Sequence, residues 1–185
     1  MMDQDLWAVL PEGERDQWEY VSGQVLGPLH FGMSWADCIA AMAGHGFADV
    51  SDATEAGWRV AEFRNPKPYS WQAAVKCYFD VVDRDRVLEY VLVDGRTGPQ
   101  VTCQGIRLIG RVPSELAQEM EAYAVAYETG IRFSYGGDVF CDGFEMEPGT
   151  QRAGDSVVTW AFFFSAGEDH SNARDGAPTA IWQHR

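Results

Sequence analysis

The chain predicts an α+β fold in which two tandem helix-plus-antiparallel-strand repeats form one antiparallel sheet with both helices on one face. Three observations carry this expectation. A capped amphipathic helix begins near Ser34, alternating apolar and polar residues follow from Gly57, and the same order starts again after residue 105. With 185 residues and 46% hydrophobic content, the chain is long enough for one sizeable core, so a single domain over 1–185 is expected.

In GPLHFGMSWADCIAAM, residues 27 to 42, the Ser34 hydroxyl is placed to accept from the free amides of a first helical turn, with Asp37 three residues on. Trp35, Cys38, Ile39 and Met42 then fall on one stripe. Gly32 and Met33 read as the hinge and staple before this cap.

Further along, WRVAEF from Trp58 is a strand candidate, and Pro66 and Pro68 forbid regular pairing in the loop that follows. In AAVKCYFDV, Val75, Cys77, Phe79 and Val81 point one way and Lys76, Tyr78 and Asp80 the other, as in a strand with one wet face. RVLEYVLVD follows a charged turn and completes a hairpin. DGRTGPQ, Asp94 to Gln100, carries turn residues and reads as a boundary between halves at about 24–96 and 105–166.

In the second half, Ser114 is the cap candidate for a helix whose stripe is Leu116, Met120, Tyr123, Ala124 and Tyr127. IRFSY, VFCDGFEME and the strongly apolar SVVTWAFFFS follow as strand pieces, and the tail from Gly167 is polar. Ser34 and Ser114 stand about 80 residues apart, a long internal repeat. Two such halves side by side would let both helices cover one face and leave the other to water or a partner.

Lys and Arg number 14 against 28 Asp and Glu, a net charge of -14, which repels nucleic acid and anionic membrane at long range. The N-terminus is acidic where a secretory leader would be basic, and no apolar run reaches membrane-spanning length, so a cytoplasmic location is expected. Cys38, Cys77, Cys103 and Cys141 are scattered without a CxxC and read as reduced core thiols.

Nucleotide-binding glycine loops and a GxSxG nucleophile are absent from the sequence, and none of His30, His45, His170 and His184 has a signature neighbour. No cofactor is expected. GGDVFCDGFEMEPG offers Asp138, Asp142, Glu145 and Glu147 as oxygen ligands, but their spacing does not match an EF-hand. Turn chemistry accounts for them without a metal, and as a functional feature they would face a basic partner. Tyr69 and Trp71 in the proline-rich loop, Tyr78, Asp80 and Tyr90 on the hairpin, and Tyr135 beside the acidic segment are the preferred contacts, because aromatic rings serve as binding anchors.

The FGMS start followed by an amphipathic helix and strands resembles the Gly-Met-Ser/Thr helix start of small outer-membrane-assembly lipoproteins and of β-lactamase-inhibitor proteins built from two tandem helix-plus-sheet repeats. The GPL-FGMS opening is also similar to that of actinobacterial immunity-like proteins. GRVPS, with Pro113, stands at the corresponding place in the second half. The resemblance implies a non-enzymatic binding protein that occludes a basic toxin or enzyme through an open sheet face and its loops. A small hydrolase or ligand-binding enzyme of unknown substrate, assembled from distant His, Cys and acidic residues, is the other reading.

Overall fold

The computed structural model describes residues 7–47, 50–55, 57–65, 72–80, 87–134, 136–166 and 184. A 3-10 turn (Glu12–Glu14) leads into β1 (Gln17–Val21), β2 (Val25–Leu26), β3 (Leu29–His30) and helix α1 (Trp35–Gly44). Then come β4 (Val50–Glu55), β5 (Trp58–Phe63), β6 (Val75–Asp80), β7 (Leu88–Val93), β8 (Gln100–Cys103) and β9 (Ile106–Arg107). Helix α2 (Pro113–Tyr127) is followed by β10 (Ile131–Phe133), β11 (Val139–Cys141), β12 (Met146–Ala153) and β13 (Ser156–Phe164).

The α+β class holds, but the described strands form three sheets rather than one. The largest has the order β12-β13-β7-β6-β5-β4 and is antiparallel throughout. The last strands of the two expected halves, β7 and β13, pair within it, with Phe162 opposite Leu92. The second half gives this sheet only two strands, because β10 and β11 pair with each other as a separate ribbon. The third sheet, β3-β2-β1-β8-β9, draws on the N-terminal segment and contains a parallel β1–β8 pairing.

Helix α1 forms as its sequence dictates. The Ser34 hydroxyl accepts from the Asp37 amide at 3.2 Å and donates to the Asp37 carboxylate at 2.7 Å. The GMS stretch is also stitched to β7: Gly32 donates to the Leu88 carbonyl and Leu88 to that of Met33, each at 2.9 Å. Gly32 has φ +85, a backbone state that side chains disfavour, so glycine suits the turn before the cap. Helix α2 corrects the second cap: Val112, not Ser114, is the N-cap, without a side-chain bond, and Pro113 occupies the first turn. Proline presets the helical φ there and lacks only an amide that would be unpaired anyway.

Both helices bury their stripes in one core. Cys38 and Met42 of α1, and Leu116, Met120 and Ala124 of α2, share it with Ala61, Cys77, Phe79, Val91, Val93, Ala161 and Phe163 of the large sheet. All four cysteines are buried and unpaired. Cys38 and Cys77 meet across the helix–sheet contact, and burial, followed by this neighbour, pushes the Cys77 thiol up.

The far face of the large sheet is not open, which overturns the expectation that it awaits a partner. Val60, Tyr78, Tyr90, Leu92, Trp160, Phe162 and Phe164 form a second buried cluster there. Tyr78, read as lying on a wet face, is 1% exposed, and Tyr90 is 3% exposed. Burial of such side chains contributes about 1.5–3 kcal/mol each, so these rings serve the fold.

Candidate functional site

Two polar regions stand out, and they are built in opposite ways. The first is DGRTGPQ, where every residue from Asp94 to Gln100 is buried, so the supposed boundary loop runs through the interior. Buried backbone must find partners, and side chains supply many of them here. Arg15, just after the 3-10 turn, donates to the carbonyls of Leu10 (3.1 Å), Gly98 (2.7 Å), Gly95 (2.8 Å) and Arg96 (3.2 Å). Asp94 Oδ1 accepts from the amides of Arg96 (2.9 Å) and Thr97 (2.8 Å) and from the Thr97 hydroxyl (3.1 Å). Gln100 Oε1 accepts from the amides of Leu108 (3.1 Å) and Ile109 (2.9 Å), which ties the loop to β9 and the chain beyond it.

Gly95 belongs there for space: a Cβ would run into the Thr159 carbonyl. Asp94 Oδ2 accepts from Gln151 Nε2 at 2.8 Å and lies 3.1 Å from His184 Nε2. Burial opposes ionisation of this carboxyl, yet the His184, Gln151 and Thr97 donors outweigh it and hold the group at about 2. Burial pulls the Arg15 guanidinium down while Glu12 and Asp94 hold it up. Asp94 is therefore an ionised structural acceptor whose oxygens are already taken up.

The second region is the outer end of α2 with the β10–β11 ribbon. The α2 stripe overruns its core: Leu116, Met120 and Ala124 are buried, Tyr123 packs on Phe144 with ring centroids 5.1 Å apart, and Tyr127, tilted against Tyr123 with centroids 4.4 Å apart, is 68% exposed. Glu128 closes the helix in the left-handed region at φ 51 and donates to the Ala124 carbonyl. The chain then enters β10, where Phe133 is 69% and Ile131 41% exposed.

Register fixes the two faces of the ribbon. Ile131 pairs with Cys141 and Phe133 with Val139, and the Cys141 thiol donates to the Met120 carbonyl at 3.3 Å, so this is the face turned toward α2. Arg132 and Phe140 belong to the opposite face, where Arg132 forms an ion pair with Asp142. A concavity of about 30 Å³ lies there, lined by Arg132, Phe140, Asp142, Glu145 and Phe164 among others. Asp138, half-buried in the connecting turn, accepts from Ser134, and burial raises its carboxyl above the usual range.

Three of the residues expected from sequence, Asp138, Asp142 and Glu145, are thus gathered around β11. Tyr78 and Tyr90 pair with each other inside the far-face cluster instead. Tyr69, Trp71 and Tyr135 lie outside the described residues. Asp80 ends β6 opposite Trp58, and its side chain is likewise outside the description. Sequence reasoning missed Tyr127, Ile131 and Phe133 as exposed apolar side chains; the available signal was a helical stripe continuing to the last turn, shortly before Gly130 and a very short strand. No group of three or more His, Cys, Asp or Glu side chains able to hold a metal occurs among the described residues. No described helix is long and apolar enough to cross a membrane. No protein-family model, curated protein or solved structure matches the chain.

Proposed function

We propose that this chain is a protein-binding module, an immunity or inhibitor protein that blocks a basic toxin or enzyme by stoichiometric occlusion. The observation that carries the reading is the exposed group Tyr127, Ile131 and Phe133, with Glu128 at the same helix end and Asp138, Asp142 and Glu145 on the other side of the ribbon, on a chain of net charge -14. Apolar rings exposed beside polar neighbours suit an anchor that is desolvated on binding, and like-signed carboxylates around it steer a cationic partner into register. The resemblance of the GPL-FGMS opening to immunity-like proteins points the same way. The contact surface moves, however, from the far face of the large sheet to the α2 end and the ribbon. A hydrolase reading would lean on the Asp94–His184 contact, but Arg96, Thr97 and Gln151 already occupy that carboxylate.

The test is affinity capture from the source cell with the full chain as bait, followed by titration of the captured protein's activity. The expected result is a retained protein of net positive charge whose activity reaches its floor at one equivalent and whose association slows as salt rises. Retention of only acidic or salt-insensitive proteins, or multiple turnover by the bait itself, overturns the reading.

A further inference from the structure

We propose that the slot formed by Asp94, Gln151 and Trp160 is a binding site for a planar N–H donor of the imidazole class, which the chain fills with its own His184 and which free imidazole enters when that side chain is removed. The site needs no partner and goes beyond the inhibitor reading. Its floor is fixed independently of His184. Asp94 Oδ1 is held by the amides of Arg96 and Thr97, while Oδ2 accepts from Gln151 Nε2 at 2.8 Å. The Gln151 amide is oriented by its own bonds, because Oε1 accepts from the Gly95 amide at 2.7 Å as Nε2 donates to Asp94. Both side chains are enclosed, with Asp94 0% and Gln151 2% exposed.

His184 Nε2 lies 3.1 Å from Asp94 Oδ2 and 3.1 Å from Gln151 Oε1. An ionised carboxylate only accepts, and the Gly95 bond makes Oε1 an acceptor as well, so Nε2 must carry the proton that both atoms share. A nitrogen protonated in this way has no lone pair left for a metal ion. The imidazole ring stands steeply against Trp160, with centroids 5.2 Å apart and planes at 75°, the T-shaped arrangement that aromatic pairs favour. Two fixed acceptors beside an aromatic wall therefore select a flat ring bearing an N–H, and the ionised Asp94 repels a carboxylate. The His184 side chain keeps 17% of its surface exposed, so the slot opens to solvent along that ring.

The probe is imidazole added to the full chain carrying His184→Ala, at about pH 9. The variant is expected to lose about 2–6 °C of Tm, and imidazole at about 50 mM to recover about 2–4 °C through a dissociation constant of about 10 mM. Wild-type Tm should not move, because its slot is full. N-methylimidazole, which is neutral at that pH and has no N–H, is expected to recover nothing. His184→Gln, whose amide NH2 can take the place of Nε2–H, should stay within about 1 °C of wild type and ignore imidazole. Should His184→Ala fail to fold, nitrogen NMR shifts of wild-type His184 carry the test: the Nε2–H tautomer is expected, and the Nδ1–H tautomer overturns the proposal. An unchanged Tm in His184→Ala, no recovery by imidazole, equal recovery by the two ligands, or an equal response of wild type and variant overturns it as well.

Discussion

The Asp94–Gln100 loop and the β10–β11 ribbon look alike as sequence, since both mix glycine, aspartate, arginine and small polar residues. Their fates are opposite. Around Asp94 the buried loop is held by side chains drawn from other parts of the chain as well as by its own residues: Arg15 comes from the N-terminal segment, Gln151 from β12 and His184 from the tail. In the ribbon the bonding is local, and Phe133, Ile131 and the outward backbone groups are left to solvent. Turn-rich sequence therefore marks neither surface nor function; what separates the two is whether distant side chains arrive to satisfy the backbone.

Substitution at Asp94 should break the contrast most forcibly. Asp94→Ala strands the amides of Arg96 and Thr97 and removes the buried counter-charge near Arg15, so a loss of about 3–5 kcal/mol is expected in urea unfolding. A loss below about 1 kcal/mol would show that the loop is not held by this network.

Acid provides a gentler probe of the same carboxylate. Its value in the folded protein is about 2 against an ordinary 3.8, so the stability it contributes is present above pH 3.8 and is lost as pH falls through 3.8 toward 2. The contribution at stake is about 2 kcal/mol. Asp94→Asn should flatten the unfolding free energy over that interval relative to wild type, and parallel curves would contradict the assignment.

Thr159 extends the buried network, with its hydroxyl donating to the Leu108 carbonyl at 2.6 Å and accepting from the Arg111 amide at 3.0 Å. Thr159→Val leaves both groups without that partner and should cost about 1–3 kcal/mol in the same assay. Ser34→Ala, at the first helix cap, is expected to cost about 1 kcal/mol by thermal melting.

The ribbon should respond least in stability. Tyr127→Ala and Phe133→Ser remove exposed rings and should change unfolding by no more than about 0.5 kcal/mol. A large destabilisation would mean that these rings support the fold and are not held in reserve for a partner.

Much of the scaffold was legible because its signals are local. Ser34 and Asp37 mark a helix start within four residues, and Val75, Cys77 and Phe79 alternate within a strand that needs no distant information to be recognised. The far face was legible in part as well. Trp160 to Phe164 shows no polar alternation, the mark of a strand buried on both sides, and β13 lies in the interior of the large sheet with both faces covered. The apparent polarity of Lys76 and Asp80 around Tyr78 masked this, although Lys76 is spent on an ion pair with Glu62 at 2.7 Å.

By itself the sequence determined the α+β class, the first helix and its cap, the β5–β6–β7 order and the acidic character of the segment around β11, because each depends on residues within a turn or two of one another. Only the tertiary structure decided that the strands divide into three sheets, that Asp94 is enclosed and Tyr127 is not, and that Tyr78 belongs to a core. Burial is a property of what packs from elsewhere in the chain, and Arg15, Gln151 and His184 reach Asp94 from sequence distances that no local pattern records.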